Sequence, residues 1–134
     1  ITSLICFEST FSSDFRRALI PQTKLMVVTT NNRSYRRSGN SKQHMAQSRL
    51  RALEYSTPVV HASVSGISAI IDKDGDVKSE SKLFVKKLVQ GGVDTTITRS
   101  FYSKTFDWFS YCALVVVIWL LAFRLKDIKW KKTI

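Results

Sequence analysis

Residues 43–71 read QHMAQSRLRALEYSTPVVHASVSGISAII, and their pattern decides the fold class. Gln43 to Tyr55 predicts a helix with Met45, Leu50 and Leu53 on an apolar side and Ala46 and Ala52 allowing close approach. Pro58 ends it, because proline removes a backbone donor and disfavours helical geometry in the residue before it. The β-branched run VVHASVS, 59–65, predicts a strand. A turn at Ser65-Gly66 then leads into a strand over Ile67 to Ile71, and Asp74-Gly75 marks a hairpin before another strand from Val77. A helix between strands, followed by a hairpin, is the signature of a layered α/β unit.

The same alternation extends towards the N-terminus. Ile1 to Phe7 predicts a short strand, Phe11 to Leu19 a short helix stopped near Pro21, and Lys24 to Thr30 a buried strand. Asn31 to Ser41, NNRSYRRSGNS, has no regular period and predicts a polar loop. Leu83 to Val89 and Val93 to Ile97 are expected to complete the domain around Gly91-Gly92.

A chain of 134 residues is long enough for one domain with a core, and too short for two of ordinary size. Its 21 Lys and Arg against 10 Asp and Glu leave a net charge of +11, which favours a polyanion or an anionic lipid surface as partner. The basic loop Arg33 to Gly39, with Tyr35 among its arginines, fits RNA phosphates and a stacked base, or phospholipid headgroups. The downstream apolar run favours lipid or plain solvation over nucleic acid. Cys6 and Cys112 make no disulfide framework and are expected to be free thiols. The sequence opens without an initiator Met or a charged leader, so a longer parent chain is expected.

From Trp108 to Phe123, WFSYCALVVVIWLLAF carries no charge between Asp107 and Arg124, which predicts a transmembrane helix over residues 105–125. Arg124, Lys126, Lys129, Lys131 and Lys132 follow it, which predicts a basic cytoplasmic tail over 126–134 and an extracytoplasmic location for 1–105.

Cys6 carries the most reactive chemistry. A thiol at a strand end, with the N–H groups of a turn behind it, suits acyl transfer; a buried structural thiol is the commoner use of the residue. Glu8 shares a face with Cys6 if the strand persists, where it would orient a base, shape a pocket or simply be solvated. His44 and His61 are the only imidazoles, and neither spacing to a cysteine matches a protease signature. Soft ligands are too few for zinc. DKDGD, 72–76, opens like a calcium loop, but twelve residues from Asp72 end at Leu83 rather than at a glutamate. No Gly-rich phosphate loop is present.

Taken in order, ICFE (5–8), LMVVTTNN (25–32), QHMAQSRLRALE (43–54), SGISAIID (65–72) with Asp74-Gly75, and Leu83-Phe84 resemble one family. The chain is similar to the last third of the nitrilase-like domain of apolipoprotein N-acyltransferases, of the carbon-nitrogen hydrolase superfamily, and SRLRALE resembles the actinobacterial branch. This resemblance implies part of a nitrilase-like αββα sandwich over 1–104, followed by one C-terminal transmembrane helix, within a multi-pass protein of the cell membrane. It implies transfer of a fatty acyl group from a phospholipid donor, through a cysteine thioester, to the N-terminal diacylglyceryl cysteine of an apolipoprotein, with no cofactor or metal. Cys6 would carry the thioester, Glu8 would be the acid beside it, and the Phe7 N–H would help hold the oxyanion. Asn31, Tyr35, His44, Glu54, Ser65 and Gly66 would form the pocket or support it.

The family also places a glutamate base and a lysine before the nucleophile, whereas none of the five residues before Cys6 is charged. Glu54 and Lys24 lie on the wrong side of it in chain order. An N-terminal portion of the same enzyme is therefore an expected partner, and the isolated chain is expected to be inactive and poorly folded. In the loop after Asn31, Asn32 to Arg37 also stand where many relatives carry an acid, an aromatic pair and glycines. The rival readings are a nitrilase-type amidase and a non-catalytic membrane protein remnant.

Overall fold

The computed structural model describes the backbone of residues 1–132 and the side chains of residues 1–124. The chain divides into two compact units, Ile1–Lys104 and Thr105–Ile134.

The first unit is a five-stranded sheet in sequential order, β1 Thr2–Ile5, β2 Met26–Asn31, β3 Val59–Val64, β4 Ala69–Ile71 and β5 Val77–Glu80. The first three strands are parallel, with Leu4 opposite Val28 and Val28 opposite His61; β4 and β5 then run antiparallel. Helix α1, Ser12–Ala18, crosses from β1 to β2, and α2, Asn40–Tyr55, crosses from β2 to β3. Two right-handed crossovers in the same direction put both helices on one face. Accordingly Phe15 of α1 stacks on Tyr55 of α2 at 5.0 Å between ring centroids.

That face holds the core. Leu4, Met26, Val28, Thr30, Val59 and His61 point under the helices at period two, while Ile5, Thr29, Ala62 and Val64 on the opposite face are exposed. The β4–β5 hairpin turns through Asp72, whose carboxylate accepts from the N–H groups of Asp74 and Asp76 and pairs with Lys78. Gly75 takes φ +80° there, a left-handed conformation that glycine adopts without strain.

Several expectations are corrected. The first strand ends at Ile5 rather than Phe7, and Cys6–Thr10 form a 3-10 turn. The loop after β2 contains a second such turn, Arg33–Tyr35, and α2 begins at Asn40. Residues 83–89 and 93–97, expected to complete the domain, belong to the first unit as an irregular segment, and Arg99 beyond it donates to the carbonyls of Ile20, Pro21 and Thr23 and to the Thr57 hydroxyl. The buried side of α2 is also not the apolar one. Ser41, His44, Ser48, Arg51, Ala52 and Tyr55 face the sheet, and Leu50 and Leu53 are exposed.

Helix α3, Phe101–Thr105, precedes the second unit's helix α4, Trp108–Lys132. The expected transmembrane helix is overturned: no helix among the described residues is long and apolar enough to cross a membrane. The uncharged run of 16 residues spans about 24 Å as a helix, short of the roughly 30 Å hydrocarbon core. Ser110, Tyr111 and two tryptophans further lower its apolarity. Without a span, the membrane location and the inside-outside assignment of 1–105 and the tail lose their basis. The side chains of the expected tail, 126–134, lie outside the described residues. Within α4, Trp119 and Phe123 stack one turn apart at 6.1 Å, and Cys112 is an exposed free thiol.

Candidate active site

Cys6 is the first residue beyond β1 and adopts φ +51°, a conformation that side chains other than glycine rarely take. The parallel register continues past the strand, since Ile5 stands opposite Thr29, and so Cys6 falls beside Thr30. The Thr30 Oγ1 lies 3.3 Å from Cys6 Sγ and 3.1 Å from Asn32 Oδ1. The reversal at Cys6 ends the strand alternation, so Glu8 does not share a strand face with the thiol. Instead Glu8 Oε2 accepts from the Ile5 N–H at 2.7 Å and clamps the turn that follows the cysteine.

Beneath this turn lies His44 from α2. Its Nε2 is 3.1 Å from the Cys6 carbonyl oxygen and 3.2 Å from Ser9 Oγ, and its Nδ1 is 3.0 Å from Asn32 Oδ1. Ser9 also donates to the Cys6 carbonyl at 3.0 Å. Burial holds the His44 imidazole below its ordinary range, against the opposing pull of the Cys6 carbonyl. His61 of β3 is fully buried, with Nδ1 2.8 Å from Ser48 Oγ. Desolvation, with the neighbouring His44 second, pushes it down to about 4.

The remaining candidates divide between this centre and its surroundings. Phe7 follows Cys6 in the turn, with its exposed ring near those of Phe11 and His44. Tyr35 joins Phe7, Thr10, Asn40, Gln43 and His44 around a cavity of about 360 Å³. Gly66 packs against Asn32, with its missing Cβ position 2.7 Å from Asn32 Nδ2. Ser65 lines a separate cavity of about 370 Å³ and accepts at its carbonyl from the Phe84 N–H. Asn31 is exposed and caps the Arg33 N–H at 3.1 Å. Glu54 lies ten residues along α2 from His44, about 15 Å away along the axis, and pairs with Arg51 at 2.6 Å. Sequence reasoning missed Thr30, Asn32 and Ser9. The available signal was a polar residue, Thr30, at an inward position of the alternation Met26, Val28, Thr30.

The chain is similar to apolipoprotein N-acyltransferases. It is 33% identical over 127 residues to that of Geobacter metallireducens, covering 93% of this chain and 24% of the relative. With that of Rickettsia prowazekii it shares 30% identity over 125 residues, covering 93% and 25%. The chain thus spans about a quarter of the length of the curated relatives it matches. No family model matches it. Among solved structures, a carbon-nitrogen hydrolase from Helicobacter pylori superposes with a TM-score of 0.58 at 10% identity, covering 69% of this chain and 39% of that one. The first unit accordingly has a nitrilase-like α/β fold.

Proposed function

We propose that Cys6 is the acyl-accepting nucleophile of a nitrilase-type thiol enzyme. The observation that carries this reading is the placement of Cys6: a strained residue at a strand end, its thiol beside the Thr30 hydroxyl and its turn clamped by Glu8 and His44. We further propose that the whole protein is an N-acyltransferase, moving a fatty acyl group from a phospholipid to the N-terminal diacylglyceryl cysteine of an apolipoprotein. The similarity over 93% of the chain supports it.

In this scheme the Cys6 thiolate attacks the ester carbonyl of the donor. The acyl C–O bond breaks, the alkoxide leaves with the proton that the glutamate base took from the thiol, and a thioester remains. The acceptor amine then attacks, the C–S bond breaks, the thiolate returns, and the surplus amine proton passes to the base. The Phe7 N–H serves the oxyanion of both tetrahedral steps. The glutamate base and the lysine belong to the portion of the protein outside this chain. Glu8 acts on the geometry of the turn.

A second reading, carbon-nitrogen bond hydrolysis with water in place of the amine, is favoured by the superposition on the H. pylori hydrolase fold. Mass spectrometry of the full-length protein given phospholipid tests both. An acyl adduct on Cys6, discharged onto a lipopeptide amine and absent from Cys6→Ala, is the expected result. Release of free fatty acid alone would favour hydrolysis, and an adduct surviving in Cys6→Ala would remove the cysteine from the nucleophile's role.

A further inference from the structure

Thr30 has one hydroxyl proton and two acceptors within reach, Cys6 Sγ and Asn32 Oδ1. Which of them receives it depends on Asn32. That side chain is 1% exposed, and its Nδ2 has no partner among the described residues, while its oxygen faces both Thr30 and His44. A buried carboxamide with an idle donor and a crowded acceptor is costly, and its oxygen and nitrogen have nearly the same shape.

His44 decides the orientation. Its Nε2 faces the Cys6 carbonyl, which can only accept, so Nε2 carries a proton. Its hydrogen-bond neighbours are that carbonyl, the Ser9 hydroxyl and the Asn32 amide, and its ring meets a second imidazole, His61. Of these, the Cys6 carbonyl favours a second proton, and burial outweighs it. The neutral ring therefore offers a lone pair at Nδ1, and a lone pair requires a donor from Asn32. Turning the amide over supplies it: Nδ2 donates to His44 Nδ1 and to Thr30 Oγ1. The Asn32 oxygen then faces the side of Gly66, which the unpartnered Ser63 hydroxyl also borders. Thr30, now accepting from Asn32, has its proton left for Cys6 Sγ.

We propose that Thr30 is the hydroxyl donor that stabilises the Cys6 thiolate, and that His44 and Asn32 are positioning residues that aim it: Asn32, fixed by donating to His44, also donates to Thr30, and Thr30 donates to Cys6. The proposal rests on Cys6 being the working thiol of this site. Among the described residues of this site, Glu8 is engaged by the Ile5 N–H and burial holds the His44 imidazole down, so what these residues offer the thiol is the fixed dipole of the Thr30 hydroxyl.

The test is the pH profile of Cys6 alkylation by iodoacetamide in the full-length protein, with Cys112→Ser so that the exposed second thiol does not report. Thr30→Val is expected to slow alkylation near neutral pH by on the order of tenfold and to move the profile to higher pH, because one hydrogen bond to the charged form is lost. Thr30→Ser restores it. Thr30→Ala, which removes the hydroxyl without adding bulk, gives the same reading where valine disturbs packing. Asn32→Asp, which cannot donate and draws the Thr30 proton to itself, is expected to lower reactivity as well. An unchanged profile in Thr30→Ala or Thr30→Val overturns the donor role, and an unchanged profile in Asn32→Asp overturns the positioning role. Alkylation reads the thiol alone. A Thr30 effect in a protein that forms no acyl adduct would therefore sink the acyl-transfer reading and leave the donor role standing.

Discussion

His44 and His61 meet edge to face, 5.2 Å between ring centroids, with His44 on α2 and His61 on β3. Both rings are held below their ordinary range chiefly by burial, His61 down to about 4. At His61 the unfolded chain therefore takes up a proton below 6.5 that the folded protein refuses until about 4, so its contribution to stability is full above 6.5 and is lost as pH falls through that window, and the lowered His44 acts in the same direction. For His61 alone the loss approaches about 3 kcal/mol. Urea midpoints compared at about pH 7 and about pH 4.5 should fall steeply in the native protein and less in His61→Asn. Equal falls in both would show that His61 is not the group responsible.

Glu54 has a structural part that removal of its charge should expose. Arg51 is 6% exposed, and its Nη1 pairs with Glu54 Oε2 at 2.6 Å. Glu54→Ala strands a buried guanidinium, with an expected loss of about 3 kcal/mol. Replacing both residues together, Arg51→Met with Glu54→Gln, should recover most of it, since no buried charge is then left alone. Denaturant titration of the three variants reads this directly. A double variant as unstable as Glu54→Ala would point to lost packing instead.

The alternation of strand and helix was legible because it rests on period and punctuation: β-branched runs at β2 and β3, Pro58 after α2, and Asp74-Gly75 at the hairpin. The buried face of α2 was not. Its inward positions carry His44, Ser48 and Arg51, which serve a polar interior, and a hydrophobic period cannot report a helix whose buried side is polar. The same limit hid the site. Cys6 and His44 stood out by residue type, but the turn that unites them depends on a left-handed φ at a cysteine, and Thr30 and Asn32 read as ordinary strand-end residues. Apolarity misled in the other direction at Trp108 to Phe123, where a run without charges is still too short a helix to span a bilayer.

Gly66 is held by space rather than by torsion. A Cβ there would stand 2.7 Å from the end of the Asn32 carboxamide and closer still to Ser63 Oγ, distances that require Asn32 to move. Gly66→Ala should therefore cost about 2 kcal/mol of stability through overpacking. It should also slow Cys6 alkylation, because displacing Asn32 disturbs the Thr30 hydroxyl. Loss of stability with thiol reactivity unchanged would separate the glycine from the site.

Cys6 itself carries a measurable strain. At φ +51° a β-carbon is disfavoured by about 1 kcal/mol relative to glycine, although the glycine also has more unfolded freedom to lose. Two variants that both lack the thiol isolate this conformation. Cys6→Gly should be as stable as Cys6→Ala or more so, by up to about 1 kcal/mol, the reverse of the order at an extended strand position. The two can be compared by thermal or urea unfolding, since neither retains the Thr30 contact to sulfur. If Cys6→Ala proves clearly the more stable, the backbone at the nucleophile is extended in solution. The Glu8 clamp on Ile5 and the His44 bond to the Cys6 carbonyl would then have to be drawn differently, because both depend on the chain reversing at that residue.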